Sequence, residues 1–155
     1  MTSLAHQHMQ AIFALQSGNA ISFGGAAVLP IEYLDDARWK QLAMHEPQLV
    51  ISAIRADAIG LGNKTIAIDT HDMNHDSLMA CATSTKEAMP SVKLNDSPPD
   101  ESEALLHLCK QAKILPALLW FNDKASCDDA LAVDVNLLNN QPKAQLHLGD
   151  NVALP

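Results

Sequence analysis

Residues 101–121, with the sequence ESEALLHLCKQAKILPALLWF, join a capped helix to an apolar strand and determine the predicted fold. Asp100 and Glu103 have the spacing of an approximate capping box directly after two prolines, so we expect a helix from residue 101 to about residue 112. The continuous apolar run at 116–121 is typical of a buried strand. Helix and strand therefore alternate in this stretch.

The same alternation extends towards the N-terminus. Ser3 can cap a first helix that ends at Gly18-Asn19, and Asp35 or Asp36 can cap a second helix through Met44. A further helical turn is expected at residues 55–59. Strands are predicted at residues 20–23, 26–30, 49–53 and 65–68, with a bend at Gly24-Gly25 between the first two.

After residue 121 the predicted helices and strands are shorter. A polar turn at 122–124, a short helix near 127–131 and a strand at 132–135 are expected, and Asn136 can cap a last helical turn. Residues 69–97 are polar and receive no assigned element. The fold class is α/β (or α+β), with a mixed or largely parallel sheet flanked by helices. We expect one domain at residues 1–140 and a linker at 141–155 towards a further C-terminal domain.

Composition limits the class of protein. The chain has 155 residues, of which 48% are hydrophobic, enough for one packed domain. Its net charge of −8 opposes binding to nucleic-acid phosphates or anionic lipid, so neither nucleic acid nor membrane is an expected partner. No apolar run reaches the roughly 18 residues of a membrane-spanning helix, and we expect a cytoplasmic protein. Three cysteines without CxxC spacing predict free, partly buried thiols.

The segment at 69–76, DTHDMNHD, concentrates His and Asp side chains that could act as metal ligands. His71 and His75 are four residues apart, so on a helix they would share a face and could hold a divalent metal together with a carboxylate. The alternative is a solvated polar loop, since this spacing without a metalloprotease glutamate arises often by chance.

A family resemblance appears at Glu101-Ser102-Glu103-Ala104, continuing through Leu108 and Ala112 to Pro116-Ala117. This segment resembles the signature of the 3,4-dihydroxy-2-butanone 4-phosphate synthases of riboflavin biosynthesis, and implies a reduced form of their fold. Two departures concern the active site. The acidic loop that follows the family's first strand is replaced by Gly24-Gly25-Ala26-Ala27, and Glu101 stands where the family has its metal-binding histidine.

The likeness is closer to the diverged synthase-like domain that precedes GTP cyclohydrolase II in some bacterial proteins, which retains a segment similar to residues 112–118. This resemblance implies a non-catalytic accessory or regulatory domain of a cyclohydrolase II-like hydrolase. Its partners would be the C-terminal cyclohydrolase-like domain and a second copy in a homodimer, and it would need no cofactor.

The alternative is a residual enzyme that acts with a divalent metal on ribulose 5-phosphate or another small phosphorylated substrate. Its candidate catalytic residues are Glu101 and Glu103, with His71 and His75 as metal ligands. A phosphorylated substrate would also require at least one convergent Lys or Arg.

Overall fold

The protein is described by a computed structural model that covers residues 3–84, 93–94, 98–127 and 129–134. Five α-helices and seven strands lie in these ranges, with one 3-10 turn at Lys124–Ser126. In chain order the elements are α1 (Leu4–Gln16), β1 (Ile21–Phe23), β2 (Ala26–Pro30), α2 (Asp36–Ala43), β3 (Gln48–Ile51), α3 (Ala53–Ala58), β4 (Ile66–Asp69), α4 (His75–Thr83), β5 (Lys93–Leu94), α5 (Ser102–Ala112), β6 (Ala117–Phe121) and β7 (Leu131–Ala132).

The seven strands form one mixed sheet in the order β5-β4-β3-β6-β2-β1-β7. The α/β fold class is therefore confirmed. In the described ranges only β1 and β7 pair in parallel, and the other neighbouring strands are antiparallel, so of the two expected arrangements the sheet is the mixed one and not the largely parallel one. One cause is the segment Gly24-Gly25, which closes a hairpin in which Phe23 pairs with Ala26. The predicted bend is thus an antiparallel turn.

Helices cover both faces of the sheet. The first core contains α1 and α5, and the second contains buried residues of α2, α3 and α4. Strand β3 shows how the pleat divides its residues between the cores, since Val50 points to the first core while Leu49 and Ile51 point to the second. The same alternation separates Leu118 from Leu119 in β6. Both faces are buried, which explains why the strands read as continuous apolar runs.

Side-chain caps begin four of the helices. The Ser3 hydroxyl accepts from the His6 N–H at 3.1 Å, and the Asp35 carboxylate accepts from the Arg38 N–H at 2.8 Å, as their positions predict. Ser52 and Asn74 cap α3 and α4 in the same way. The first helix ends as predicted, because Gly18 adopts a positive φ of 78° directly after it.

The predicted capping box of α5 is wrong. The helix starts at Ser102, and its N-cap is Glu101, whose side chain makes no capping hydrogen bond. Asp100 therefore lies one position too early to act as the cap. The Ser102 hydroxyl instead donates to the Pro99 carbonyl at 2.7 Å, which fixes the start of the helix against the preceding proline segment.

Two other local predictions need correction. The helix expected near 127–131 is replaced by the earlier 3-10 turn and by β7, because the Asp123 carboxylate accepts from the Ala125 N–H and starts a turn there. The polar segment left unassigned contains α4 and β5. Asn136 and the proposed linker at 141–155 lie outside the described residues. No helix in the described ranges is long and apolar enough to cross a membrane.

Candidate functional site

His71 and His75 do not share a helix face, so that prediction is wrong. His71 lies in the turn after β4 with a 70% exposed side chain, and its Nε2 is 3.6 Å from an Asp72 carboxylate oxygen. Asp72 has a φ of +69°, in the left-handed region, and Asn74 then caps α4 by accepting from the Ser77 N–H at 2.8 Å. The helix therefore begins at His75, after the left-handed residue Asp72 and the cap Asn74, and His71 lies outside it.

The His75 ring has a structural contact. Its Nε2 lies 2.6 Å from the carbonyl oxygen of Leu34, the residue before the cap of α2. A carbonyl can only accept, so Nε2 donates and carries the ring proton in the neutral imidazole. This bond attaches the start of α4 to the segment that precedes α2, and it leaves Nδ1 as the nitrogen with a lone pair.

Metal binding at these two histidines stays a prediction. Among residues 3–84, 93–94, 98–127 and 129–134, no group of three His, Cys, Asp or Glu side chains is placed to hold a metal ion. A metal at His71 and His75 would have to use Nδ1 of His75. Glu101 likewise lacks the further ligands that a metal at the synthase-like position would need, so the described residues do not fit that group.

The two candidate catalytic glutamates have different positions. Glu101 is the half-buried N-cap of α5, whereas Glu103 is exposed in the first turn of the helix. Glu103 lines a cleft of about 420 Å³ between α3 and α5, hereafter the α3–α5 cleft. Glu103 therefore faces a space in which a ligand could sit.

The α3–α5 cleft is assembled from four parts of the chain. One wall is a stripe along α5 at helical spacing, formed by Glu103, Leu106, His107 and Lys110. The opposite side comes from the start of α3, from the residues just before β4 and from the start of β6. The remaining lining residues are Ser52, Ala53, Ile54, Lys64, Thr65 and Pro116.

Glu103 and the histidine segment lie far apart. Lys64 and Thr65 of the cleft precede β4, whereas His71 follows the same strand. Four residues of strand span about 13 Å. Glu103 also belongs to the helix on the first-core face, while α4 with His75 covers the second-core face. The candidate catalytic and metal residues are therefore not brought together into one site.

A second concavity lies beside α1 and was not found from the sequence. This α1 groove, of about 520 Å³, is lined by His6, Met9, Gln10, Phe13, Ala14, Asn19, Asp129 and Leu131. Met9 and Phe13 are 70% and 71% exposed and lie one helical turn apart. The apolar pair Met9 and Phe13, at i,i+4 spacing in the predicted first helix, was the signal available in the sequence.

The cysteines are structural in the described part of the chain. Cys81, Cys109 and Cys127 are buried and form no disulfide within the described ranges, which confirms the predicted thiols and shows them more buried than expected. Burial raises the pKa of the Cys109 thiol to about 12 and also raises the pKa of Cys81, in the latter case against the opposing effect of Arg55. Thiols held protonated in this way are poor nucleophiles.

No protein-family model matches the chain, and no curated protein matches it.

Proposed function

We propose that this chain is a non-catalytic accessory domain, diverged from the 3,4-dihydroxy-2-butanone 4-phosphate synthases, that packs against a GTP cyclohydrolase II-like domain of the same polypeptide. The observation that carries the proposal is the α1 groove. Met9 and Phe13 present large apolar side chains on its rim, and such a surface is favourable when another protein covers it. The identity of the partner comes from the sequence resemblance.

The charge pattern of α1 supports a docking role. Residues 4–16 contain no Asp, Glu, Lys or Arg, although the whole chain has a net charge of −8. Interface centres are depleted in charged residues and enriched in Met and aromatic side chains. The α1 side of the groove therefore contributes no Asp, Glu, Lys or Arg side chain that a partner would have to desolvate, and Asp129 is the carboxylate among the groove's lining residues.

The position of the groove fits a partner in the same polypeptide. Leu131 of β7 lines the groove, and β7 is the last described strand of the chain. A domain joined further along the chain would be held at a high effective concentration beside this surface. Covalent linkage then allows a modest contact area to give a stable arrangement.

The placement of the candidate catalytic residues also favours an accessory role. Glu103 and the His71/His75 segment lie at opposite ends of β4 and on different faces of the sheet. General acid–base and metal chemistry both require groups within a few ångströms of one reacting atom. The residual-enzyme alternative therefore loses the convergence of residues on which it depended.

Methionine footprinting tests the docking proposal, with an internal control in the same chain. Met9 in the groove and Met44 at the end of α2 are 70% and 75% exposed, so peroxide should oxidise both at similar rates in the isolated chain. The coding sequence beyond Pro155 should continue into a domain with zinc-binding cysteines. In that longer protein we expect Met9 oxidation to slow about tenfold while Met44 oxidation is unchanged.

Other outcomes have definite meanings. Equal oxidation of Met9 in both proteins, or a stop codon after Pro155, would overturn the docking proposal. Protection of Met9 in the isolated chain, together with a dimer mass in light scattering, would mean that a second copy covers the groove instead.

A formate assay tests the absence of catalysis. The chain is incubated with ribulose 5-phosphate and Mg²⁺, and formate is measured over time. We expect none above background. Formate production that a Glu101→Ala variant abolishes would replace the accessory role with the residual enzyme.

A further inference from the structure

We propose that the α1 groove holds an amphipathic helix of the partner domain, which lies along α1 and directs a Lys or Arg side chain to Asp129. The helix rests on the accessory role proposed above, since it is the element of that partner that would fill the same groove. Its direction, its apolar side and its charge follow from the residues that line the groove.

The lining residues of α1 form a stripe along the helix. His6, Met9, Gln10, Phe13 and Ala14 have the spacing i, i+3, i+4, i+7 and i+8, so they follow one side of α1 for about 12 Å. Rows of side chains at this spacing form the ridges and grooves into which a second helix packs. The α1 groove therefore runs beside about two helical turns, a length of contact that suits a neighbouring helix.

Apolar side chains lie on two sides of α1. Ala11 and Leu15 are fully buried in the first core. Because of the helical repeat, Met9 and Phe13 point roughly away from those two residues, and they are 70% and 71% exposed. A surface helix of a globular protein usually has one apolar side, whereas a helix that is apolar on opposite sides is typically covered on both. The exposed side of α1 is thus where a second helix would pack.

Asp129 supplies the charge on the opposite wall of the groove. Its side chain is 70% exposed, and its ion pair with Arg38 is loose, with 3.9 Å between nitrogen and oxygen. A chain with a net charge of −8 also attracts a basic partner surface. A Lys or Arg of the docked helix therefore meets a carboxylate at this wall, whereas an acidic side chain there would be repelled.

The edge strand β7 offers a different way to fill the groove, by addition of an extended segment. The N–H groups of Leu131 and Val133 donate to the carbonyls of Ala20 and Ser22 at 2.9 and 2.8 Å, so the Ala132 N–H points away from β1. β7 has two residues, which is a short edge for pairing with another strand. The longer contact surface is the stripe on α1, and this difference favours the helix.

Methionine footprinting with paired variants tests the position of the helix. Protection is the Met9 oxidation rate in the isolated chain divided by the rate in the longer protein, for the same variant. Phe13→Ser removes the largest apolar side chain of the groove and should reduce protection from about tenfold to less than about twofold. Ile54→Ser removes a 74% exposed apolar side chain outside the groove and should leave protection unchanged. Asp129→Asn should reduce it about threefold, whereas Asp72→Asn, at an 88% exposed side chain, should not change it.

Amide hydrogen exchange of the longer protein distinguishes a helix from a strand. A docked helix should leave Ala132 exchange within about twofold of its rate in the isolated chain, whereas an added strand would accept from this N–H and slow it at least about tenfold. Slowed Ala132 exchange, full protection in Phe13→Ser, or equal effects of Asp129→Asn and Asp72→Asn would overturn the basic helix and leave the accessory role standing. An unprotected Met9 in the longer wild-type protein would overturn both.

Discussion

At the scale of single residues, Arg55 makes side-chain contacts that the sequence did not predict. Its guanidinium donates to the Cys81 carbonyl at 3.1 Å and to the Ser84 carbonyl at 2.6 Å. Both carbonyls are at the C-terminal end of α4, where helix carbonyls lack intrahelical partners and a positive charge is favourable. Arg55 thus joins α3 to α4 on the second-core face.

Replacing Arg55 should destabilise the fold. We expect Arg55→Ala to lower the free energy of unfolding by about 2 kcal/mol, because two carbonyls lose charge-assisted hydrogen bonds. Arg38→Ala removes the same charge from a solvent-exposed contact of 3.9 Å and should cost no more than about 0.5 kcal/mol. Urea unfolding monitored by tryptophan fluorescence measures both values. Equal losses would show that the Arg55 contacts contribute little.

His8 should make stability depend on pH. Its Nε2 lies 2.8 Å from the Gln111 side-chain oxygen, between α1 and α5. Burial lowers the pKa of the His8 imidazole from its ordinary value of 6.5, because desolvation disfavours the charged ring. Between this lowered pKa and 6.5 the unfolded chain binds more protons than the folded chain. The free energy of unfolding should therefore fall as the pH falls through that interval, and should gain nothing from this group at higher pH.

A His8→Gln variant isolates this effect from the other titrating groups. Unfolding is measured about one pH unit above and one below 6.5 in both proteins. The wild type should lose more stability on acidification than the variant does. The same loss in both would mean that His8 titrates alike in the folded and unfolded states.

At the scale of elements, the β1–β2 hairpin depends on the backbone conformation of one glycine. Gly24 has a φ of +55°, and a methyl group added at Gly24 or at Gly25 would meet no atom within 4 Å. We expect Gly24→Ala to cost about 1 kcal/mol from backbone strain alone. Gly25→Ala, which has the same free space and no positive φ, should cost clearly less. Thermal unfolding of the two variants compares them, and identical melting temperatures would exclude strain at Gly24.

Elements with local signals were predictable from the sequence. Ser3 and Asp35 are capping residues at the right positions, and the apolar run that became β6 has the length and composition of a buried strand. The start of α4 was missed because its cap, Asn74, stands in a polar segment with little apolar periodicity. A capping side chain alone was too weak a signal there.

The candidate site was only partly predictable. Glu103 was identified through the synthase-like signature, and it does line a cleft. Lys64 and Lys110 could not be assigned to the same cleft, because that assignment depends on the pairing of β3 with β4 and on the packing of α5. His71 and His75 were linked by spacing alone, and the turn at Asp72 separates them. Contacts between distant segments are set by sheet order, which local patterns do not encode.

At the scale of the whole molecule, the strand order divides the protein into two blocks. β5, β4 and β3 form an antiparallel block. β2, β1 and β7 form a second block, in which β7 is parallel to β1. β6 is hydrogen-bonded to both blocks. Val50 pairs with Leu118 on one side of β6, and Val28 pairs with Trp120 on the other. Each core is therefore also continuous across this strand. The predicted mixed sheet flanked by helices is confirmed, whereas the strand order was not predicted from the sequence.

The central position of β6 has a consequence for synthesis on the ribosome. β6 is synthesised after both of its neighbours in the sheet, β2 and β3. The edges of β2 and β3 that pair with β6 therefore stay unpaired until β6 is made, nearly seventy residues after β3. Unpaired strand edges invite association between nascent chains, and long-range pairing is slow to form. A ribosomal pause before residue 117 would prolong that exposure, whereas release of β6 would close both edges in a single step.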